Sequence, residues 1–84
     1  MLLAKVTGTV VATRKNETLT GSKLLVVHPL ASGGPEGTLV AVDRLGAGIG
    51  DLVLVALGSA ARLAAGERAC IDAAVVGIVD SLEK

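Results

Sequence analysis

An all-β fold is predicted for this chain: a small, closed, five-stranded barrel, mainly antiparallel, with one short helix between strands four and five. Apolar and polar residues alternate over residues 2–13, further aliphatic runs are bounded by glycine, proline or aspartate, and only residues 59–66 carry helical signals. Five strands and a helix within 84 residues leave too little chain for the crossovers that parallel pairing needs. The pairing must therefore be mainly antiparallel. Closure into a barrel removes the exposed edges that such a sheet would otherwise present.

In the first strand the even positions are Leu2, Ala4, Val6, Gly8, Val10 and Ala12, whereas Lys5, Thr7, Thr9 and Thr13 fall on odd ones. Successive side chains of a strand point to opposite faces, so one face is apolar and the other mostly polar. Residues 14–20 form a polar connection. The second strand, residues 21–28, carries Leu24, Leu25, Val26 and Val27 without a break, so both of its faces need cover. Residues 29–37 hold both prolines, three glycines and Ser32, the composition of a surface loop. This segment is expected to be the most mobile. Strands three, four and five occupy residues 39–43, 52–57 and 73–80. Before the fifth, Ser59 is placed to cap a helix of one or two turns over residues 60–65, which Gly66 would end in the left-handed conformation.

The stretch VAVDRLGAGIGDLVLV, residues 40–55, reads as a hairpin with a glycine-built connection. A dinucleotide fingerprint would need its third glycine one residue further on and a helix behind it, so that phosphate meets a helix N-terminus. Here a strand follows instead. Gly46, Gly48 and Gly50 supply backbone that can take positive φ and lie close to other backbone, which is a packing property.

Apolar residues make up 51% of the chain, yet Phe, Tyr and Trp are absent. A domain this small buries only about 60–65% of its unfolded surface, so more apolar side chain is present than one core can hide. A single cysteine, Cys70, excludes an internal disulfide framework, and no Cys/His cluster offers a metal site. Association of subunits is the remaining route to stability. Eight basic and eight acidic residues give zero formal net charge, which provides little repulsion between copies. Nucleic acid is disfavoured, because phosphate wants a basic stripe and unpaired bases want aromatic platforms. No apolar run approaches the roughly 20 residues of a membrane span, and the N-terminal residues lack the pattern of a signal peptide. A cytoplasmic protein of one domain, residues 1–84, is the simplest expectation, with no cofactor.

Five segments in register carry a resemblance: GTVVATRK (residues 8–15), LTGSKLLVV (19–27), the glycine-loop stretch (40–55), GSAAR (58–62) and DAAVVGIVD (72–80). Together they resemble the vertex proteins of bacterial microcompartments, the pentamer-forming family of carboxysome and ethanolamine-utilisation shells. The resemblance implies a five-stranded barrel, a disc-like or truncated-pyramid homopentamer, and a place at the five-fold corners of a polyhedral shell built mainly from hexameric proteins. It implies no enzymatic activity. Two departures stand out: Ala60 where the family commonly has a second serine, and Cys70 where a proline often precedes the Ile-Asp step. Residues 32–38 have no strong counterpart in the family pattern.

Candidate interface or pore residues are Gly46, Gly48 and Gly50, placed near a ring axis where five copies converge, together with Arg62 and Lys15, whose charges could bridge to a neighbour. Lys23 has similar status. His28 at the end of strand two lacks a visible catalytic partner, and its expected role is at a strand end or interface. Cys70 is expected to pack as a small apolar residue, although a Cys70/His28 pair would define an enzymatic alternative. Asp43, Asp51, Asp72 and Asp80, at strand ends, are expected to accept backbone N–H bonds in turns rather than act as acid and base. An OB-like binding module for nucleic acid or a small ligand is the further alternative that a small barrel permits.

Overall fold

The computed structural model describes residues 1–30, 37–66 and 68–83. Its elements are β1 (Leu2–Val10), a 3-10 turn (Glu17–Leu19), β2 (Lys23–Pro29), β3 (Leu39–Asp43), β4 (Leu52–Leu57), α1 (Gly58–Ala65) and β5 (Ala73–Ile78). The strands close into a barrel in the order β1-β2-β3-β5-β4. Antiparallel pairing joins all neighbours except β3 and β5, which run parallel and meet at Val42 and Ala74. The expected architecture is therefore present. The expected mobile segment, residues 29–37, falls largely on residues 31–36, outside the described residues.

One pairing differs from expectation. Residues 40–55 do not form a hairpin, because β5 lies between β3 and β4 in the sheet. The run AAVVGI in β5 is apolar on both faces: Ala73 and Val75 enter the barrel core, and Ala74 packs with Ala61 and Ala65 of the helix. The glycine loop instead crosses the barrel end and joins β1: the Gly50 N–H donates to the Val6 carbonyl at 2.9 Å, and the Val6 N–H donates to the Asp51 carbonyl at 2.9 Å. From there β4 continues alongside β1, with Lys5 opposite Leu52.

The barrel interior is filled by Ala4, Val6, Leu25, Val27, Ala41, Ala47, Val53, Val55, Ala73 and Val75. Barrel diameter falls with strand number, so a five-stranded barrel has room for valine and alanine and for few larger side chains. The alternation in β1 holds for Ala4 and Val6, which are buried while Lys5 and Thr7 are exposed. A register shift between Val6 and Gly8 then interrupts the ladder, and the strand ends at Val10 rather than Thr13. In β2 the buried pair is Leu25 and Val27, whereas Leu24 and Val26 are half-buried. A second cluster, Val42, Ala61, Ala65, Ala69 and Ala74, seats the helix on the barrel wall.

The helix begins one residue before the expected cap. Leu57 holds the N-cap position with no side-chain cap bond, so Ser59 does not cap it. The start is fixed by backbone instead: Gly58, at φ +60°, donates its N–H to the Asp72 carbonyl at 2.9 Å. Gly66 ends the helix at φ 123° and ψ 131°, a positive-φ conformation distinct from the left-handed helical one. Its N–H donates to the Arg62 carbonyl at 2.7 Å.

Leu25 is among the largest of the fully buried side chains, and so small a cavity collapses little when a residue is shortened. Leu25→Ala should destabilise the fold by about 2–5 kcal/mol. Chemical denaturation of wild type and variant at one protein concentration measures this; a loss below about 1 kcal/mol would contradict the packing described.

Candidate functional site

The loop from Asp43 to Asp51 is the most elaborately bonded part of the surface. Asp43, at the end of β3, is 2% exposed. Its Oδ1 accepts from the Leu45 N–H at 2.9 Å and its Oδ2 from the Ala47 N–H at 2.8 Å. Asp51 at the far end accepts from the Gly48 N–H at 2.8 Å through Oδ2, while its own N–H donates to the Gly48 carbonyl at 3.0 Å. Lys23 Nζ on β2 donates to the Ala47 carbonyl at 2.8 Å. Both aspartates thus act as acceptors in turns, which satisfies amides that the sharp chain reversal would leave bare.

These bonds drive Ala47 into the barrel core, where it is fully buried, and turn Leu45 and Ile49 outward at 53% and 68% exposure. The three glycines are not equivalent. Gly46 and Gly50 have φ of +90° and +95°, but Gly48 is not in the positive-φ region. A Cβ at Gly46 or Gly50 would meet nothing within 4 Å in its own chain, and one at Gly48 would make ordinary contact with Asp51 Oδ2 at 3.9 Å. The first two glycines are required by dihedral angle, not by crowding within the subunit.

The charged candidates divide between two grooves. Lys15 is exposed, its Nζ 3.4 Å from the Ala12 carbonyl it donates to, and it shares a groove with Lys23, Val10, Val11 and Leu24. Through Lys23 that groove adjoins the glycine loop. Arg62, half-buried on α1, lies elsewhere, in a shallow groove with Ala69, Cys70, Ile71 and Asp72. Lys15 thus shares a groove with Lys23, the loop's tether, and Arg62 lies in another groove.

Cys70 is exposed rather than packed. It follows a turn in which the Ala69 N–H donates to the Gly66 carbonyl at 2.9 Å, and its own N–H donates to Thr18 Oγ1 at 3.0 Å. This backbone tether holds the segment and leaves the thiol outside. His28 is exposed too, opposite Lys5 near the far end of β2. Among the described residues no hydrogen bond joins His28 to Cys70. Asp72 contributes its backbone carbonyl, not its carboxylate, to the helix start. Among the described residues no group of three or more His, Cys, Asp or Glu is placed to hold a metal ion, and no helix is long and apolar enough to cross a membrane.

Sequence reasoning missed Ala47 as a core residue and Lys23 as the loop's tether. The signal for Ala47 was the lone alanine between two glycines, an apolar side chain that an exposed loop has no need of. Lys23 left no local signal, because its partner lies 24 residues away.

A closed barrel with its loop locked by internal hydrogen bonds and its large aliphatic residues turned outward defines a rigid building module, suited to packing against other proteins. The family model described as "Ethanolamine utilisation protein EutN/carboxysome" matches residues 1–80, and the chain belongs to this EutN/CcmL family. It is 56% identical over 86 residues to the bacterial microcompartment shell vertex protein GrpN of Rhodospirillum rubrum, spanning 99% of this chain and 97% of that protein. To the shell vertex protein PduN of Salmonella typhimurium it is 49% identical over 89 residues, spanning 98% of each. Among solved structures, the ethanolamine utilization protein EutN superposes with a TM-score of 0.91 at 41% identity, covering 100% of this chain and 91% of that one. The GrpN pentameric microcompartment shell protein from Rhodospirillum rubrum superposes with a TM-score of 0.86 at 52% identity, covering 100% and 99%.

Alanine at Gly46 or Gly50 should cost about 1–2 kcal/mol, because an L-residue is strained at these φ values. Gly48→Ala should stay within about 0.5 kcal/mol. Equal losses at all three positions in denaturant titrations would refute the dihedral account. Asp43→Ala, which strips the acceptor from the buried Ala47 amide, should cost about 1–3 kcal/mol by the same measurement.

Proposed function

We propose that this chain is a structural shell protein, without enzymatic activity, whose five copies form a ring that caps the five-fold vertices of a bacterial microcompartment in the cytoplasm. The observation that carries the reading is the end-to-end match, in sequence and in fold, to GrpN, whose solved structure is that of a pentameric microcompartment shell protein. The physical character of the chain supports it. Val11, Ile49 and Leu63 are 89%, 68% and 71% exposed, aliphatic side chains that contact with a neighbouring copy would cover. An interface between two different patches of one subunit, repeated around an axis, closes at the rotation its surfaces dictate.

In this reading the ring's neighbours are the hexameric proteins of the same shell. Gly46, Gly48, Gly50, Lys15 and Arg62 belong to its contact or axial surfaces. The loop suits such a place because its shape is already set within the subunit, so little conformational freedom is lost on docking.

Two measurements test the proposal. The native mass should be five times the 8.3 kDa of the chain and should persist on dilution; a spectrum dominated by monomer or dimer would sink the ring. Deletion of the protein from a host that makes the shell should leave hexamer sheets intact and the shells open, elongated or leaky at their corners, as seen by electron microscopy. Normal closed shells in the deletion strain would remove the vertex role, and salt-dependent retention on a DNA column would favour an OB-type nucleic-acid module instead.

A further inference from the structure

The barrel end where β1 passes into β2 carries Lys15 and Lys23, and the nearest acidic residue along the connection is the exposed Glu17 of the 3-10 turn. Lys15 and Lys23 line a groove there together with Val10, Val11, Ala12 and Leu24, and no carboxylate lines it. Among the described residues the cations of this end meet only neutral oxygens: Lys15 Nζ the Ala12 carbonyl, Lys23 Nζ the Ala47 carbonyl, and Arg44 Nε the Ser22 hydroxyl at 2.9 Å. Asp43 sits opposite Lys23 in the ladder, but it is 2% exposed and both its oxygens accept loop amides. Val10, Val11, Ala12 and Leu24 give the groove an aliphatic stretch beside the polar Thr9 and Ser22, with Val11 89% exposed. The groove suits an extended segment that sets a carboxylate beside an aliphatic side chain.

This chain contains such a segment. After β5, residues 80–83 read Asp-Ser-Leu-Glu, outside any helix or strand and exposed throughout, with Leu82 at 56%. Asp80 lies at a bend in the free subunit; straightened into extended backbone on docking, Asp80 and Leu82 would point to the same side.

The segment cannot reach the groove of its own subunit. Its departure point is fixed where the Val79 N–H donates to the Leu52 carbonyl at 2.8 Å, and Leu52 lies opposite Lys5 on β1. From Val79, three residues carry Leu82 at most about 10 Å, whereas Lys5 and Val10, the last residue of β1, are five residues apart, on the order of 17 Å. A second copy has no such restriction. A subunit with a groove at one end and a matching segment at another makes a head-to-tail contact, the kind that closes into a ring.

We propose that residues 80–83 of one subunit dock in the Val10, Val11 and Leu24 groove of the next, with the Asp80 carboxylate against Lys15 and Leu82 on Val11. The inference rests on the ring reading above, and its test separates the two. Val11→Cys and Leu82→Cys are combined in a Cys70→Ser background, and native mass is recorded first. Mild oxidation should then give a ladder of thiol-reversible bands, up to five linked chains, on denaturing gels without reductant, while either single cysteine gives no band beyond two chains. A pentamer by native mass that yields only one-chain bands, internally bridged or not, overturns the docking and leaves the ring standing. A monomer by native mass overturns both.

A charge exchange gives an independent reading. Asp80→Lys and Lys15→Asp should each raise the protein concentration at half-dissociation at least threefold, and the double variant should return to within about twofold of wild type. Losses that simply multiply in the double variant would refute the pairing.

Discussion

A barrel of five strands is narrow, and that narrowness governs the rest of this molecule. Its interior accepts alanine, valine and one leucine, so the core is assembled from small aliphatic side chains and aromatic residues are dispensable. The remaining aliphatic residues have nowhere inside to go. Val11, Ile49 and Leu63 are left on the surface, and a chain with zero formal net charge offers little electrostatic resistance to covering them against another copy. The family to which the chain belongs includes shell vertex proteins, and exposed aliphatic residues of this kind suit a building block.

The loop between β3 and β4 shows how a small protein makes a rigid surface without a large core. Two aspartates, one lysine and one buried alanine hold a nine-residue crossing of the barrel end. The carboxylates replace water on amides that have no strand partner, and Ala47 ties the middle of the loop to the core. Internal bonding of this kind fixes Leu45 and Ile49 before any partner arrives. Surfaces prepared in this way lose less freedom on association than flexible ones.

Charge within the chain is balanced in total but not in place. Lys15, Lys23 and Arg44 gather at one end of the barrel, whereas Asp80 and Glu83 follow the last strand. Separation of this kind does nothing for the isolated subunit. In the head-to-tail contact proposed above, it would set opposite signs against each other across the seam.

By itself the sequence determined the strands and their number, because period-two alternation and unbroken aliphatic runs are local properties of the chain. It placed β3 and β4 at residues 39–43 and 52–57 as observed, located the helix to within two residues, and marked Asp43 and Asp51 as turn acceptors. The glycine loop was visible as a feature but was mistaken for a hairpin. Strand pairing is a contest between distant segments, and only the folded chain shows that β5 takes the place between β3 and β4. For the same reason the unequal roles of Gly46, Gly48 and Gly50, the tether from Lys23 to Ala47, the exposure of Cys70 and the uncapped start of the helix were decided by tertiary structure. Each depends on which backbone or side chain arrives from elsewhere, and no local pattern of residues encodes that arrival.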